Sequence, residues 1–267
     1  MRYHRNGYLI AGLILFSSLY GCKKLIVVNL KNAVTQIVVT GEVNNRTGPY
    51  KVNISKTVNF TSDNNFPAVY GAFVTITQNG LTDTLTETTQ GIYSTHSIVG
   101  IPGTSYTLYV SLDGQIYTAT SVMPQLVSLD SIGFMSGRNN NIFSVAYFQD
   151  PAGILNYYQF IEYANGKKFS DGRGNSVFDD RLSDGRYISA TLYDDSIDIK
   201  SGDTLTVQMN CVDKQVYNYL NELQQVSGGG GGGFSSPTPA NPTSNITGGA
   251  LGYFSANTIT TKSVVVP

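Results

Sequence analysis

The sequence predicts an all-β protein: an N-terminal immunoglobulin-like sandwich followed by a second β-rich module with one short helix. Most segments are rich in Val, Ile, Thr and Tyr, and several alternate apolar with polar residues, which is the period of a strand with one buried face. Turn signals separate them, and about seven short strands within about a hundred residues are typical of an immunoglobulin-like sandwich. A chain of 267 residues is long enough for two such modules.

The chain before the first strand has the layout of a secretory signal peptide, predicted at residues 1–21. Arg2 and Arg5 precede an apolar run from Tyr8 to Tyr20, which is shorter than the roughly 17 to 25 residues of a transmembrane helix. We therefore expect this segment to be removed rather than to span a membrane.

The apolar run stops at a cysteine. Leu19-Tyr20-Gly21-Cys22 resembles the bacterial lipobox, in which the cysteine becomes the lipid-bearing first residue of the mature chain. Each buried CH₂ of the acyl chains contributes about 0.8 kcal/mol to membrane retention. We predict that Cys22 is lipidated and that residues 22–32 are the lipidated tether. The alternative is an ordinary secreted protein with an incidental thiol.

The first module, the immunoglobulin-like sandwich, is predicted at residues 33–123. Its clearest strand segments are QIVVTGEV, YKVNISKTV, AFVTITQN and SYTLYVSLDGQIYTATSV. The last segment breaks at Asp113-Gly114, a pair that accommodates positive φ and suits a tight hairpin turn. Tyr106–Val110 and Gln115–Thr120 should therefore pair antiparallel.

The second β-rich module is predicted at residues 124–267. Its strand segments include IFSVAYFQ, NYYQFIEYA, RYISATLY and TLTVQMNCV. Asp213 is a good N-cap for the one predicted helix, whose apolar residues at helical spacing are Val216, Tyr219, Leu220 and Leu223.

A Gly/Pro-rich loop is predicted at residues 227–243, within the second module. Gly228–Gly233 are six consecutive glycines with no side chains to bury, so we expect a disordered surface loop that tolerates shortening. Leu251, Tyr253 and Phe254 then return to strand-like composition and should close the module.

Charge and residue usage exclude several functions. Charged residues make up 13% of the chain and the formal net charge is -1, so nucleic acid is not expected as a partner. After removal of the signal peptide, His96 is the one histidine, and a Ser-His or Cys-His pair would have to use it. Cys211 lies in an alternating strand segment and is predicted to be a buried small hydrophobe. The sequence therefore predicts no catalytic residue, no cofactor and no metal site.

Carboxylates cluster between Asp171 and Asp203, including Asp171, Asp179, Asp180, Asp184, Asp194, Asp195 and Asp198. The DGRGN segment fails as a helix-loop-helix calcium loop, because Arg173 stands where an oxygen ligand is needed and Ser176 where glycine is required. Two interpretations stay open beside solvated turns: calcium held by another arrangement of these oxygens, and a glycosidase-like carboxylate pair.

Tyrosine is abundant, with 18 residues and no tryptophan. Tyr157 and Tyr163 share one face of a predicted strand, and Tyr158 points to the other face. One face is expected to be core; the alternative is an exposed aromatic surface that binds sugar or peptide.

Three stretches resemble a known family and follow one another in the same order as in that family. They are VYGAFVTITQNG through TSVMP, then FQDPAGILNYYQF, then SNITGGALGYFSA. They are similar to lipoproteins of Bacteroidota grouped as domain-of-unknown-function family 4249. The first stretch also resembles the carboxypeptidase-regulatory type of sandwich, whose pattern is matched by Ala72, Val74 and Ile76, then Gly91 and Tyr93, then Tyr106, Leu108 and Val110.

The resemblance implies an outer-membrane lipoprotein of the cell envelope, often encoded beside a TonB-dependent transporter and without established catalytic activity. Lys23-Lys24 stand where surface-exported members carry an acidic run, so the resemblance leaves open whether the protein faces the surface or the periplasm. We expect a non-catalytic accessory or ligand-binding partner of such a transporter in nutrient uptake, held at the membrane by its N-terminal lipid. The alternative is a carboxylate-dependent surface or periplasmic hydrolase.

Overall fold

Alternating apolar residues give most strands of this protein one buried face, and the sheets pack in layers over those faces. The computed structural model describes residues 34–58, 65–136, 142–169, 175–192, 199–227 and 241–267. Within them, contacts group Thr35–Pro267 into one compact unit.

The described part of the chain contains sixteen strands and one helix, α1 (Lys214–Ser227), which follows β15. The strands are β1 (Ile37–Asn44), β2 (Lys51–Lys56), β3 (Phe73–Gln78), β4 (Leu81–Thr84), β5 (Thr86–Thr89), β6 (Ile92–Ser94), β7 (Ser105–Leu112), β8 (Gln115–Val122), β9 (Leu129–Ser136), β10 (Ile142–Gln149), β11 (Tyr157–Ala164), β12 (Lys167–Lys168), β13 (Asn175–Asp179), β14 (Tyr187–Leu192), β15 (Thr204–Val212) and β16 (Leu251–Val265).

One large sheet carries the architecture, and two small sheets cover parts of it. The nine-stranded sheet has the order β12-β11-β15-β16-β1-β2-β6-β5, with β13 also paired to β11. The small sheets have the orders β4-β3-β7-β8 and β14-β10-β9. The all-β prediction is confirmed. Among the described residues, α1 is the single helix.

Strand β16 connects the two halves of the large sheet. Its first half pairs in parallel with β1, from Leu251 opposite Val38 to Asn257 opposite Asn44. Its second half pairs antiparallel with β15, from Thr258 to Val265. Of the described strands, the last one, β16, is therefore central in the sheet and lies directly beside the first one, β1.

The two small sheets define two hydrophobic cores. The first core lies between β1, β2, β6 and β16 on one side and the β4-β3-β7-β8 sheet on the other, and it includes Val39, Leu108 and Phe254. The second core lies between β11 and β15 and the β14-β10-β9 sheet, and it includes Phe148 and Met209.

The prediction that Phe254 closes the second module is wrong, because Phe254 and Ala256 of β16 belong to the first core. Strand β16 pairs with β1 of the first module as well as with β15 of the second, so the large sheet continues across the predicted boundary after Met123. The domain boundaries themselves stay a prediction.

The local predictions for the hairpin and the helix are confirmed. Strands β7 and β8 pair antiparallel through Asp113 and Gly114, which have φ values of 49° and 78°. The N–H of Val216 donates to Asp213 Oδ1 at 2.9 Å, so Asp213 is the N-cap of α1. Among the described residues no helix is both long and apolar enough to cross a membrane.

Candidate functional site

The outer face of the large sheet carries a polar groove of about 570 Å³. Strands β1, β2, β15 and β16 form it, together with the loop that follows β1. Its lining residues are Thr40, Gly41, Glu42, Asn44, Arg46, Thr47, Pro49, Tyr50, Lys51, Asn53, Gln208, Tyr253 and Ile259.

Strand alternation explains why this face is polar. Successive side chains of a strand point to opposite faces, so the buried Val39 and Val43 of β1 leave the alternate positions on the outer face. Thr40 lies opposite Asn53 of β2 on one side and opposite Tyr253 of β16 on the other. These three residues form a row of hydroxyl and amide groups across the groove.

Tyr253 of β16 forms the aromatic wall of the groove. The ring of Tyr253 packs against that of Tyr219 of α1, with ring centroids 4.9 Å apart. Burial, with a smaller contribution from the Glu42 carboxylate, raises the pKa of Tyr253 to about 12. Its hydroxyl is therefore a neutral hydrogen-bonding group at physiological pH.

The charges of the groove are mixed. Glu42 faces it with Arg46 and Lys51, so both signs are present. The amide of Asn44 donates to Glu42 Oε1 at 2.8 Å, and the guanidinium of Arg46 contacts the hydroxyl of Thr261. Amide, hydroxyl and mixed charged groups match a ligand rich in hydroxyl or amide groups better than a highly charged ligand.

The predicted tyrosine strand is β11. Tyr158 is buried in the second core, as the alternation predicts, and its ring lies 4.8 Å from that of Phe148. On the outer face, Tyr157 packs against Tyr217 of α1 at 4.9 Å, so it does not form an exposed surface. Tyr163 is half-buried and its hydroxyl lies 3.5 Å from Gln208 Oε1, at the groove.

His96 follows β6 and lies between two polar side chains. Its Nε2 is 3.1 Å from the hydroxyl of Thr86, and its Nδ1 is 3.3 Å from Asp83 Oδ1. The order hydroxyl, imidazole, carboxylate is that of a nucleophilic triad. Thr86 and His96 are both exposed, and Asp83 Oδ2 is occupied by three backbone N–H groups, which is a structural cap of the loop.

The two cysteines of the sequence differ. Cys211 is 2% exposed within the second core, and burial raises the pKa of its thiol, so the prediction of a buried small hydrophobe is confirmed. Cys22, the predicted lipidation site, lies outside the described residues.

The acidic segment is partly described. Four of its aspartates lie outside the described residues: Asp171, Asp194, Asp195 and Asp198. Residues 228–240 of the predicted Gly/Pro-rich loop also lie outside them. Asp179 accepts hydrogen bonds from Arg181 Nε at 2.7 Å and from the Tyr217 hydroxyl at 2.6 Å, which ties β13 to α1. Those contacts, led by Arg181, lower the pKa of Asp179.

Asp180 and Asp184 lie beside a third carboxylate. Asp180 and Asp184 lie in the turn between β13 and β14, where the fold brings Asp150 beside them. Asp150 and Asp180 are 1% and 0% exposed. A substrate has no access to this pair, which therefore does not favour the hydrolase interpretation.

Sequence analysis missed the groove because its residues come from β1 and β2 near one end of the chain and from β15 and β16 near the other. Thr40 and Gln208 are ordinary outward positions of alternating strands, and nothing local distinguishes them from solvated positions. The parallel pairing of β1 with β16 brings them together, and no short motif records such a pairing.

The comparison with protein families matches the chain over nearly its whole length. The model of the family Domain of unknown function (DUF4249) covers residues 23–263. A search of curated proteins returned no match. Because the matched region includes every strand described above except the end of β16, the chain belongs to the DUF4249 family.

Proposed function

We propose that this protein is an outer-membrane lipoprotein that binds a hydroxyl- or amide-rich ligand, a sugar or a peptide, as the non-catalytic partner of a TonB-dependent transporter in nutrient uptake. The groove on the large sheet carries the proposal. Its floor of Thr40, Asn53 and Gln208 offers hydrogen-bond donors and acceptors, and Tyr253 offers an aromatic wall.

The binding part of the proposal is tested by screening the purified chain against glycan and peptide libraries. Asn53→Ala removes a groove amide from an exposed position, and Lys56→Ala changes an exposed residue of the same strand outside the groove. We expect Asn53→Ala to weaken binding of the selected ligand about tenfold, which corresponds to about 1.4 kcal/mol, and Lys56→Ala to leave it unchanged. Equal effects of the two variants would place binding elsewhere.

The proposal of a lipid anchor is based on the Gly21-Cys22 junction at the end of an apolar run. We expect Cys22→Ala to abolish incorporation of labelled palmitate and to leave the protein soluble or as its precursor. If the variant stays in the outer membrane with unchanged mass, another contact holds it there and lipidation is wrong.

The transporter partnership is tested by affinity purification from detergent-solubilised, cross-linked outer membranes. A TonB-dependent β-barrel should dominate the recovered proteins. Repeated recovery of no membrane protein would contradict the partnership and leave a free-standing binding protein.

The non-catalytic part is tested at the Thr86, His96 and Asp83 contact, the arrangement nearest to a catalytic one among the described residues. Thr86 does not line the groove, and the Asp83 carboxylate caps backbone N–H groups. We expect no covalent labelling by a fluorophosphonate probe. Labelling that His96→Ala abolishes would replace this proposal with a hydrolase.

A further inference from the structure

Two loops meet at one end of the second core, and each connects the large sheet to the β14-β10-β9 sheet. Residues 150–156 join β10 to β11, and residues 180–186 join β13 to β14. The N–H of Asp150 donates to the carbonyl of Arg186 at 3.0 Å, and the N–H of Asp180 donates to the carbonyl of Asn156 at 3.3 Å. The loops are thus held side by side over their length.

Three carboxylates converge where the loops touch. One oxygen from each of Asp150, Asp180 and Asp184 lies within 4.8 Å of the other two. Asp150 and Asp180 are fully or almost fully buried, whereas Asp184 is exposed. The cluster therefore has two buried members and one member at the surface.

Hydrogen bonds account for both oxygens of the buried Asp150 and for one oxygen of the exposed Asp184. Asp150 accepts from the Tyr158 hydroxyl at 2.5 Å and from the N–H of Gly185 at 2.9 Å. Asp184 Oδ1 accepts from the N–H of Gly153 at 2.9 Å. These contacts orient the carboxylates, but every donor is neutral.

Asp180 is the exception. Its Oδ2 accepts from the N–H of Asn156 at 3.0 Å, but its Oδ1 is buried and has no hydrogen-bond partner among the described residues. Asp180 also contributes one carboxylate oxygen to the cluster with Asp150 and Asp184. An unsatisfied oxygen on a fully buried carboxylate is costly, so it indicates a missing partner.

No basic side chain of the described residues neutralises the cluster. The nearest arginine in the sequence, Arg181, pairs with Asp179 instead. Buried charges are normally paired or bound to a metal ion. Carboxylate oxygens are the ligands of hard cations, and calcium in particular accepts irregular sets of oxygen ligands at about 2.3 to 2.6 Å. Ligands on opposite sides of such an ion lie about 4.6 to 5.2 Å apart, so oxygens that all lie within 4.8 Å of one another can share one ion.

We propose that Asp150, Asp180 and Asp184 bind one calcium ion that fastens the 150–156 loop to the 180–186 loop. The sequence predicts no metal site and leaves open calcium held by the Asp171–Asp203 carboxylates; Asp150 lies outside that segment. The inference goes beyond ligand binding at the groove and does not depend on it, since the cluster shares no residue with the groove.

Calcium titration of the EDTA-treated full chain tests the proposal. Isothermal calorimetry with calcium chloride should give one saturable site per chain, and saturating calcium should raise the melting temperature. Asp184→Asn is the informative variant, because this residue is exposed and its loss leaves the buried pair in place. We expect it to weaken calcium binding about tenfold or more. Asp130→Asn, at an exposed strand position, should change nothing.

Three outcomes would overturn the proposal. Absence of saturable calcium binding means that a shared proton neutralises Asp150 and Asp180. Calcium binding that Asp184→Asn leaves unchanged means that the ion binds at other acidic residues. Magnesium binding as tightly as calcium means that the site lacks the geometry proposed here. Because none of these measurements involves a groove ligand, their failure is independent of the proposed function.

Discussion

Asp83 illustrates how a single carboxylate organises a loop in this protein. It is 5% exposed, and its Oδ2 accepts N–H groups of His96, Ser97 and Ile98 at 2.8, 2.7 and 3.2 Å. Burial opposes ionisation of this carboxyl, but the backbone hydrogen bonds outweigh burial and lower its pKa.

The lowered pKa of Asp83 predicts a pH dependence of stability. A carboxyl with a lower pKa in the folded state stabilises the fold above its unfolded pKa of about 3.9, and this contribution is lost as the pH falls through the folded pKa. Asp83→Asn should be less stable than the natural protein at pH 7 and should lose less stability between about pH 5 and pH 2. Urea unfolding across this range measures both, and parallel curves would contradict the assignment.

Phe254 is buried, as the sequence predicts, but in the first core and not in the second module. It is 0% exposed in the first core, so Phe254→Ala should lower the free energy of unfolding by about 3 to 5 kcal/mol. Phe73→Ala is the control, because that ring is 53% exposed, and it should cost less than about 1 kcal/mol. Thermal or urea denaturation compares them; a small loss from Phe254→Ala would mean that β16 does not close the core.

At the scale of the element, β16 depends on a glycine where it approaches β1. Gly252 has a φ of 92°, and a Cβ there would lie 2.1 Å from the carbonyl oxygen of Val39. Gly249, three residues earlier, has a φ of 82°, and a Cβ there would meet no atom within 4 Å. The two residues share the backbone requirement but differ in the space around them.

This difference makes Gly249→Ala a matched control for Gly252→Ala. Gly249→Ala should cost about 1 kcal/mol, because only the positive φ opposes alanine. Gly252→Ala should cost about 3 kcal/mol or more, because β16 must also move away from β1. Denaturant unfolding of the two variants measures the costs, and equal costs would show that the parallel pairing does not constrain this position.

At the scale of the whole molecule, the shared sheet couples the two cores. Strand β16 pairs with β1 in one half and with β15 in the other, so loss of either half removes a partner from the central strand. If one half unfolds, the shared sheet is disrupted and apolar side chains of the other half become exposed to water. This cost opposes independent unfolding of the two halves.

The coupling predicts one unfolding transition. Leu108→Ala in the first core and Phe148→Ala in the second should each lower the midpoint temperature of the same calorimetric transition. Each should lower the free energy of unfolding by about 2 to 5 kcal/mol. Leu182→Ala, at a side chain that is 93% exposed, should leave it unchanged. Two separate transitions, each sensitive to one variant, would show that the modules unfold independently.

The sequence by itself determined the features that depend on neighbouring residues. Alternation in TLTVQMNCV predicts a strand with Cys211 buried, Asp113-Gly114 predicts a hairpin, and Asp213 predicts the start of α1; the structure confirms each one. Periodicity, positive φ and capping all act within a few residues, so a local pattern records them.

Only the tertiary structure decided which distant segments meet. The pairing of β1 with β16 places Thr40 beside Tyr253 and forms the groove, and the contact of two loops places Asp150 beside Asp180 and Asp184. Neither juxtaposition has a local signal, because strand order and loop contact result from how the two cores pack over one sheet. Outward polar positions and turn aspartates look alike along the chain until the sheet brings some of them together.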